Sequence, residues 1–468
     1  MKKLLLILLL CLTAPAWATA YFISPSGSDG NNGTSTGTPW LSPNHALNCG
    51  DTITAAAGTY AAANFVTGKW GTVTCAAGNN VAWLQCATFD ACKISDPSDT
   101  TYLATMWVDK SYWGVQGWEV TNGTSTYAAC FGVFRNTVTP VQIHHVIFAN
   151  NVANGCGLAG FGAANEGNLF GVDYLVIIGN IAYNATQGNG ECGSGISIFQ
   201  PVASDSLPGT HLYIAGNFSF DNVDANPCNS GTPTDGEGVI LDALSGVDTA
   251  GLPAYNQQTV VANNILIYNG QAGAQTNGST SAPTWFVNNT FYGNFTDSHI
   301  SSGTCGQLLI ASFSSTTNLV QSSGNLSYSA TSESGCASST PYAYFGYEIN
   351  GTDHVFANYA YNASANNYGC TTCTGFSYGP NNVNPGDPSF ASPANPGAPS
   401  CGSATSVPAC MAAVIANFTP TTAAASYGYQ PVSTTSHYDP LYPQWLCSVT
   451  NLPTGLVTPG CVIGRRQQ

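Results

Sequence analysis

The chain has 468 residues, of which only 7% are charged, and its 23 acidic and 8 basic side chains give a formal charge of −15. That balance excludes the basic footprint needed by partners such as nucleic acid or an anionic membrane, and so little charge leaves a surface built from Asn, Ser, Thr and Gly. With 44% hydrophobic residues, the composition supplies a large core and excludes a disordered polymer.

Residues 1–20, MKKLLLILLLCLTAPAWATA, combine two Lys, an apolar run and small residues at Ala16, Ala18 and Ala20, the pattern of a secretory signal peptide. Removing it leaves 6 basic against 23 acidic residues and sixteen of the 17 Cys. An even Cys count in an oxidising compartment points to disulfides. No later apolar stretch is long enough to span a membrane, so the chain is expected outside the cell, or in the periplasm of a Gram-negative host, without membrane insertion and as a monomer.

Residues 21–110 read as an N-terminal cap and first coils, and 111–374 as a repeat region. The segment Tyr174 to Gln200, YLVIIGNIAYNATQGNGECGSGISIFQ, shows the unit: three short runs rich in β-branched and aromatic residues, separated by Gly and Asn. Its core, Asn-x-x-x-Asn, returns at Asn150, Asn180, Asn217, Asn264, Asn289, Asn325 and Asn358, with gaps of 30, 37, 47, 25, 36 and 33 residues. A constant motif with loops of variable size favours a solenoid over a propeller, whose blades need four strands of similar length. Stacking such coils puts Asn over Asn, where the amide tolerates a left-handed bend and bonds to its neighbours above and below. Cys130, Cys156 and Cys192 lie near the starts of successive runs, so neighbours among them are expected to bridge adjacent coils. Cys370 and Cys373 have no matching second pair at zinc-site spacing and read as a disulfide. From about Gly375 the ladder stops and Pro becomes dense, with a short helix expected over Val407 to Phe418. Residues 375–468 therefore read as a Pro- and Tyr-rich C-terminal cap over the open sheet edge.

The opening YFISPSGSDGNNGTSTGTPW, the GDT at Gly50, the GTY at Gly58, the GISI and GVILD runs at Gly195 and Gly238, and DPSFASP at Asp387 resemble the secreted proteins of the pectate-lyase-like superfamily. The resemblance covers most of the chain after the leader. It implies an all-β right-handed parallel β-helix with terminal caps and an exposed sheet face that binds a sugar chain. Because that superfamily holds lyases, hydrolases, epimerases and non-catalytic adhesins, the resemblance specifies fold better than activity.

Carboxylates are concentrated at Asp221, Asp224, Asp235, Glu237, Asp242 and Asp248, six of 23 within 28 residues. Placing Gly195 beside Gly238 brings Glu191 near the register of Asp235 and Glu237 in the adjacent coil. Like charges held close raise one pKa and leave a partner ionised, the division that glycosidic hydrolysis needs; the carboxyls then stand about 5 Å apart for retention or about 6.5 to 9.5 Å for inversion. Alternation from Gly238 sends Val239 and Leu241 inward and Ile240 and Asp242 outward, with Ser197 and Phe199 on the same outer face. Glu191, Asp235, Glu237 and Asp242 are thus the candidate acids and bases, and Ser197, Phe199 and Arg135 the candidate substrate contacts. Asp221 is read as a charge replacing a rung of the ladder, and Asp221 with Asp224 as a candidate Ca²⁺ site.

Lys69, Lys93, Lys110 and Arg135 are the only cationic side chains between the leader and Arg465. This scarcity weighs against a lyase, since polyuronate lyases resembling this fold use a Lys or Arg base. The polygalacturonase pattern of adjacent Asp-Asp, Gly-His-Gly and Arg-x-Lys is absent. His144, His145 and His211 read as bend residues, and Trp107, Trp113 and Trp118 as packing. The expected function is hydrolysis of a neutral or weakly charged extracellular polysaccharide with no required cofactor. The alternatives are Ca²⁺-dependent β-elimination on a uronate, with Arg135 or Lys110 as base, and glycan binding without catalysis.

Overall fold

A computed structural model describes residues 18–75, 81–96, 103–123, 128–134, 141–165, 171–188, 192–224, 235–244, 246, 252–278, 282–300, 305–311, 320–329, 335–336, 342–347, 354–355, 359–362, 368–371, 373, 377–378, 387–420, 441–449 and 452. Its strands form a twelve-stranded, a ten-stranded and a nine-stranded sheet, with a two-stranded pair near the start. Every strand pairing between coils is parallel, and the central coils each contribute one strand to each large sheet. In one such coil Ile196–Phe199 lies in the nine-stranded sheet, Thr210–Ala215 in the twelve-stranded and Phe218–Phe220 in the ten-stranded. Parallel strands joined by crossovers take the right-handed connection, so the fold expected from the sequence, a right-handed parallel β-helix, is the fold found.

In the coils from Asn150 to Asn325 the corner between the twelve- and ten-stranded sheets is two residues long. Its first residue is left-handed, as at Gly179 (φ 63°), Gly216 (φ 64°) and Asn263 (φ 57°), a conformation that Gly and Asn adopt at least cost. The second is a buried Asn. The Asn217 backbone N–H and Nδ2 both donate to Asn264 Oδ1, at 2.9 and 3.0 Å, and Nδ2 also donates to the Ile177 carbonyl at 2.9 Å. The same pattern joins Asn151 to Asn180, Asn180 to Asn217, Asn264 to Asn289 and Asn289 to Asn325. Two buried amide donors per coil are thereby satisfied without water.

The first anchor differs by one residue from the sequence reading. Asn151 is the rung and Asn150 the left-handed residue before it (φ 57°), whose Oδ1 accepts from Val407 N at 2.6 Å. A parallel ladder runs at the ten-to-nine corner through Asn222, Asn269, Asn294 and Gln307, with amide contacts of 2.8, 2.9 and 2.7 Å. There Asp221 (φ 58°) is the bend residue and Asn222 the rung, so no charge has entered the ladder. Desolvation explains the difference, because a fully buried rung must both donate and accept, and an ionised carboxylate can only accept. Asn358 lies outside the described residues.

Inside the coils, Val, Ile, Leu and Phe rows stack into one core, and Trp113 and Trp118 within it have no exposed surface. Cys130 and Cys156 join adjacent coils, and Cys370 is bonded to Cys373, as expected. The other described pairs are Cys49–Cys75, Cys86–Cys92, Cys305–Cys336 and Cys401–Cys410. Among the described residues no helix is long and apolar enough to cross a membrane; with the disulfides, this fits an oxidising compartment.

The described parts of 375–468 run back along the flanks of the coil. Short helices at Val407–Cys410 and Ala412–Asn417 carry Val407, Met411, Val414 and Phe418 onto Ile181, Phe218 and Ile267 of the ten-stranded sheet. Tyr442, Trp445, Leu446 and Val449 pack on Val176, Tyr213 and Val260 of the twelve-stranded sheet. The apolar outer surface of both sheets supplies the reason, since burying it is worth roughly 25 cal/mol per Å². No described residue of this region joins the clusters on the outer nine-stranded face.

Candidate functional site

Two outward rows run along the nine-stranded face. One reads Gly132, Gly162, Ser197, Ile240, Gln275 and Leu309, and the next carries Phe134, Ala164, Phe199 and Asp242. Its ends are apolar, around Trp107 and Phe134 at one end and Leu309, Phe345 and Phe295 at the other. Polar side chains occupy the middle. Ser197, Phe199 and Asp242 are half-buried, while Ile240 points away from the central core yet is only 2% exposed.

Glu237 sits where the chain turns from the ten-to-nine corner into the strand Val239–Asp242. It has no exposed surface, and Ser194 of the preceding coil donates its hydroxyl to Glu237 Oε2 at 2.6 Å. The backbone carries Ser194 opposite Glu237 because Gly195 N bonds to the Glu237 carbonyl at 2.8 Å. A Cβ at Gly195 would lie 2.0 Å from Ser219 Oγ and 2.5 Å from Asn222 Nδ2, so glycine permits this close stacking. Oε1 of Glu237 has no hydrogen-bond partner among the described residues. Burial pushes the carboxyl well above its ordinary value, the charges of Asp235 and Asp242 push it further, and the Ser194 hydrogen bond offsets only part of this. The carboxyl is therefore held well above the ordinary carboxylate range.

Glu191 and Arg135 lie outside the described residues. Asp221 is turned to the C-terminal segment, where its Oδ1 accepts from Asn395 Nδ2 at 3.1 Å, while Asp224 is 1% exposed. No group of three or more His, Cys, Asp or Glu side chains is placed to hold a metal ion among the described residues. Lys110 lies 3.8 Å from the buried carboxylate of Asp109, and Lys93 is paired with Glu119 and Asp90.

A second buried carboxylate escaped the sequence reading. Asp173 has no exposed surface and accepts from Tyr255 OH at 2.6 Å, from Ser204 N and Oγ at 2.6 and 2.7 Å, and pairs with His211 Nδ1 at 2.9 Å. Burial opposes its charge, but the hydrogen bond and charge of His211, with Tyr255 and Ser204, hold the carboxyl below its ordinary value. His211 Nε2 lies 3.0 Å from the Leu207 carbonyl, so both ring nitrogens are engaged. The rings of Tyr112, His145, Tyr174 and His211 stack in sequence, with centroids 5.1, 4.3 and 3.8 Å apart. Tyr112, His145 and Tyr174 are left-handed (φ 68°, 57° and 46°), and at His211 the strand register shifts. His145 is driven down to about 3 by burial and by His144, and so stays neutral. These His residues are the bend ladder expected from the sequence. Asp173 was hidden because its run, VDYLVII, reads as core and its partners are 31 to 82 residues away.

No protein-family model matches the chain, and no curated protein sequence does. Among solved structures it is similar to pectate lyase Pel9A, at 14% identity over 80% of this chain and 83% of that one, with a TM-score of 0.41. It is also similar to XylC in complex with xylose (10% identity, 74% and 76% of the two chains, TM-score 0.45). A third likeness is to an alginate lyase from Paenibacillus sp. str. FPU-7 (13% identity, 69% and 92%, TM-score 0.36). At TM-scores below 0.5 these likenesses say nothing of the chemistry of this chain.

Proposed function

We propose that the protein is a secreted carbohydrate-active enzyme that hydrolyses glycosidic bonds of an extracellular polysaccharide laid along the nine-stranded face. One observation carries the reading: Glu237 is a buried carboxyl whose pKa is held well above its ordinary value by burial and by Asp235 and Asp242, at the edge of the one large sheet whose outer face takes no packing from the described C-terminal segments. A general acid at neutral pH needs this kind of raised pKa, and a carboxylate that stays ionised nearby supplies the complementary base or nucleophile.

In this mechanism Ser194 occupies Oε2 of Glu237, which leaves the proton on Oε1, the oxygen with no protein acceptor among the described residues. As the glycosidic C–O bond breaks, that proton passes to the leaving sugar oxygen. The attacking water gives its proton to Asp242, whose half-buried carboxylate stands on the outward row. Because Glu237 has no exposed surface, the sugar ring must exchange places with the side chains above it before transfer. Phe199, beside Asp242 in the paired strand, offers a ring face to the sugar.

The test is incubation of the disulfide-intact protein with neutral and uronic polysaccharides, with and without Ca²⁺, following new reducing ends and the absorbance of an unsaturated uronate together. Reducing ends rising without absorbance is the expected result. Both signals rising, and falling on chelation, would replace hydrolysis with Ca²⁺-dependent elimination, and binding with neither signal would leave a glycan-binding protein.

A further inference from the structure

The two C-terminal flanks differ in what lies beneath them. Residues 407–418 meet apolar side chains and rings on the ten-stranded sheet, with Phe418 edge-on to Tyr292 at 5.3 Å and to Phe390 at 5.5 Å. Residues 441–449 meet a histidine. Trp445, 6% exposed, sets its ring at 67° to that of His145 with centroids 4.8 Å apart, and reaches the ring of Tyr174 at 6.3 Å. His145 is 7% exposed and stacked between Tyr112 and Tyr174. Its Nδ1 lies 2.9 Å from His144 Nδ1, a contact that holds with one proton between the two nitrogens and sets two N–H groups head-on when both carry one.

The segment above this ring has no charge to offer it. Residues 441–449, LYPQWLCSV, contain no Asp, Glu, Lys, Arg or His. Their hold on the sheet is largely apolar, with Tyr442 edge-on to Tyr213 at 5.5 Å and Leu446 and Val449 in one cluster with Val176 and Val260. Thr210 Oγ1 donates to the Leu441 carbonyl at 2.8 Å. Against that gain, the Tyr442 hydroxyl and Trp445 Nε1 are buried without a hydrogen-bond partner among the described residues, which weakens the docked state.

The groups that act on the His145 charge are His144, Asp173, Asp205 and His211, with Tyr112 and Tyr174 on the ring faces. Burial lowers the ring most and His144 lowers it further, Asp173 and Asp205 raise it, His211 contributes least, and the balance is about 3. His144 is lowered by burial as well. A histidine depressed in this way gives stability that is fully present above its ordinary value of 6.5 and is lost as pH falls from there toward 3, because the uncovered ring takes up a proton that the covered ring excludes. Each pH unit within that window changes the docking equilibrium by up to about tenfold.

We propose that residues 441–449 form an acid-released strap, which lies on the twelve-stranded sheet while His145 is neutral and undocks when His145 beneath Trp445 takes up a proton. Release bares the apolar outer face of that sheet around Val176, Tyr213 and Val260. The flank at 407–418 has no histidine beneath Phe418 and stays docked.

Hydrogen exchange read by mass spectrometry on the full disulfide-intact protein tests this, with protection factors removing the intrinsic pH dependence of exchange. Between about pH 7 and about pH 4.5, a range above the lowered value of Asp173, protection of 441–449 should fall by about tenfold or more while that of 407–418 is kept. His145→Tyr installs the neutral ring that the adjacent left-handed positions Tyr112 (φ 68°) and Tyr174 (φ 46°) already carry, and should hold the strap at both pH values. His145→Asn, neutral and tolerant of left-handed backbone, should weaken docking equally at both. Constant protection of 441–449 in the wild type, a wild-type fall in either neutral variant, or loss of protection at both flanks together overturns the strap.

Discussion

Asp173 and Glu237 are both carboxyl groups without exposed surface in the same solenoid, and their surroundings shift their pKa in opposite directions. Around Asp173, Tyr255, Ser204 and His211 supply donors to both oxygens, and the carboxyl lies below its ordinary value. Around Glu237 one hydroxyl reaches one oxygen, two further carboxylates lie nearby, and the group is held well above its ordinary value. The lesson is that burial alone does not mark a reactive acid; the supply of donors decides. A carboxylate with every lone pair met is a staple, and one left half-satisfied among like charges is a proton store.

Substitution at each carboxyl should break the comparison in opposite ways. Glu237→Gln is expected to lower kcat by about 10² to 10⁴, measured as reducing-end release, while thermal unfolding at neutral pH moves upward because a neutral amide removes the cost of burying a carboxyl that is ionised in the unfolded chain. A variant with wild-type turnover would remove Glu237 from the chemistry. Asp173→Asn should do the reverse, costing about 3 to 5 kcal/mol of stability in urea unfolding because His211 loses its buried partner, while turnover per folded molecule stays unchanged. A drop in turnover with intact stability would make the Asp173 cluster functional after all.

Between them in expected effect stands a neutral rung. Asn217→Ala leaves the partners of one ladder amide unmet and should cost about 1 to 3 kcal/mol without changing the selectivity for any sugar. The smallest effect is the pH dependence of stability. Asp173, lowered in the fold, contributes stability that is present above its ordinary value of 3.8 and lost as pH falls through its folded value. Glu237, raised in the fold, contributes stability that is present below its ordinary value of 4.5 and lost as pH rises through its folded value. Urea midpoints measured from acid to neutral pH should therefore rise then decline, and Glu237→Gln should flatten only the decline.

The Asn spacing was legible because a buried two-residue corner accepts few side chains, so the requirement writes itself into every coil. Legibility stopped at single-residue precision: Asn150 and Asn151 are adjacent identical letters, and only the strand register tells the left-handed bend residue from the rung. Asp221 was misplaced for the same reason, since Asn222 next to it takes the rung. The gathering of Asp235, Glu237 and Asp242 could be anticipated because all three lie within eight residues of one chain segment.

By itself, then, the sequence determined what repeats: parallel coils, inward and outward alternation, the corner amides and a bridge between adjacent coils among Cys130, Cys156 and Cys192, each a local demand met again in the next coil. Tertiary structure decided what does not repeat. It laid the described residues of the Pro-rich C-terminal region along two flanks, joined Asp173 to a tyrosine 82 residues away, and seated Asp297 against Gly270 and Gly335. The physical reason is that stacking energy is periodic and so recorded in spacing, whereas the donors that complete a buried carboxylate come from whatever segment the finished coil brings alongside.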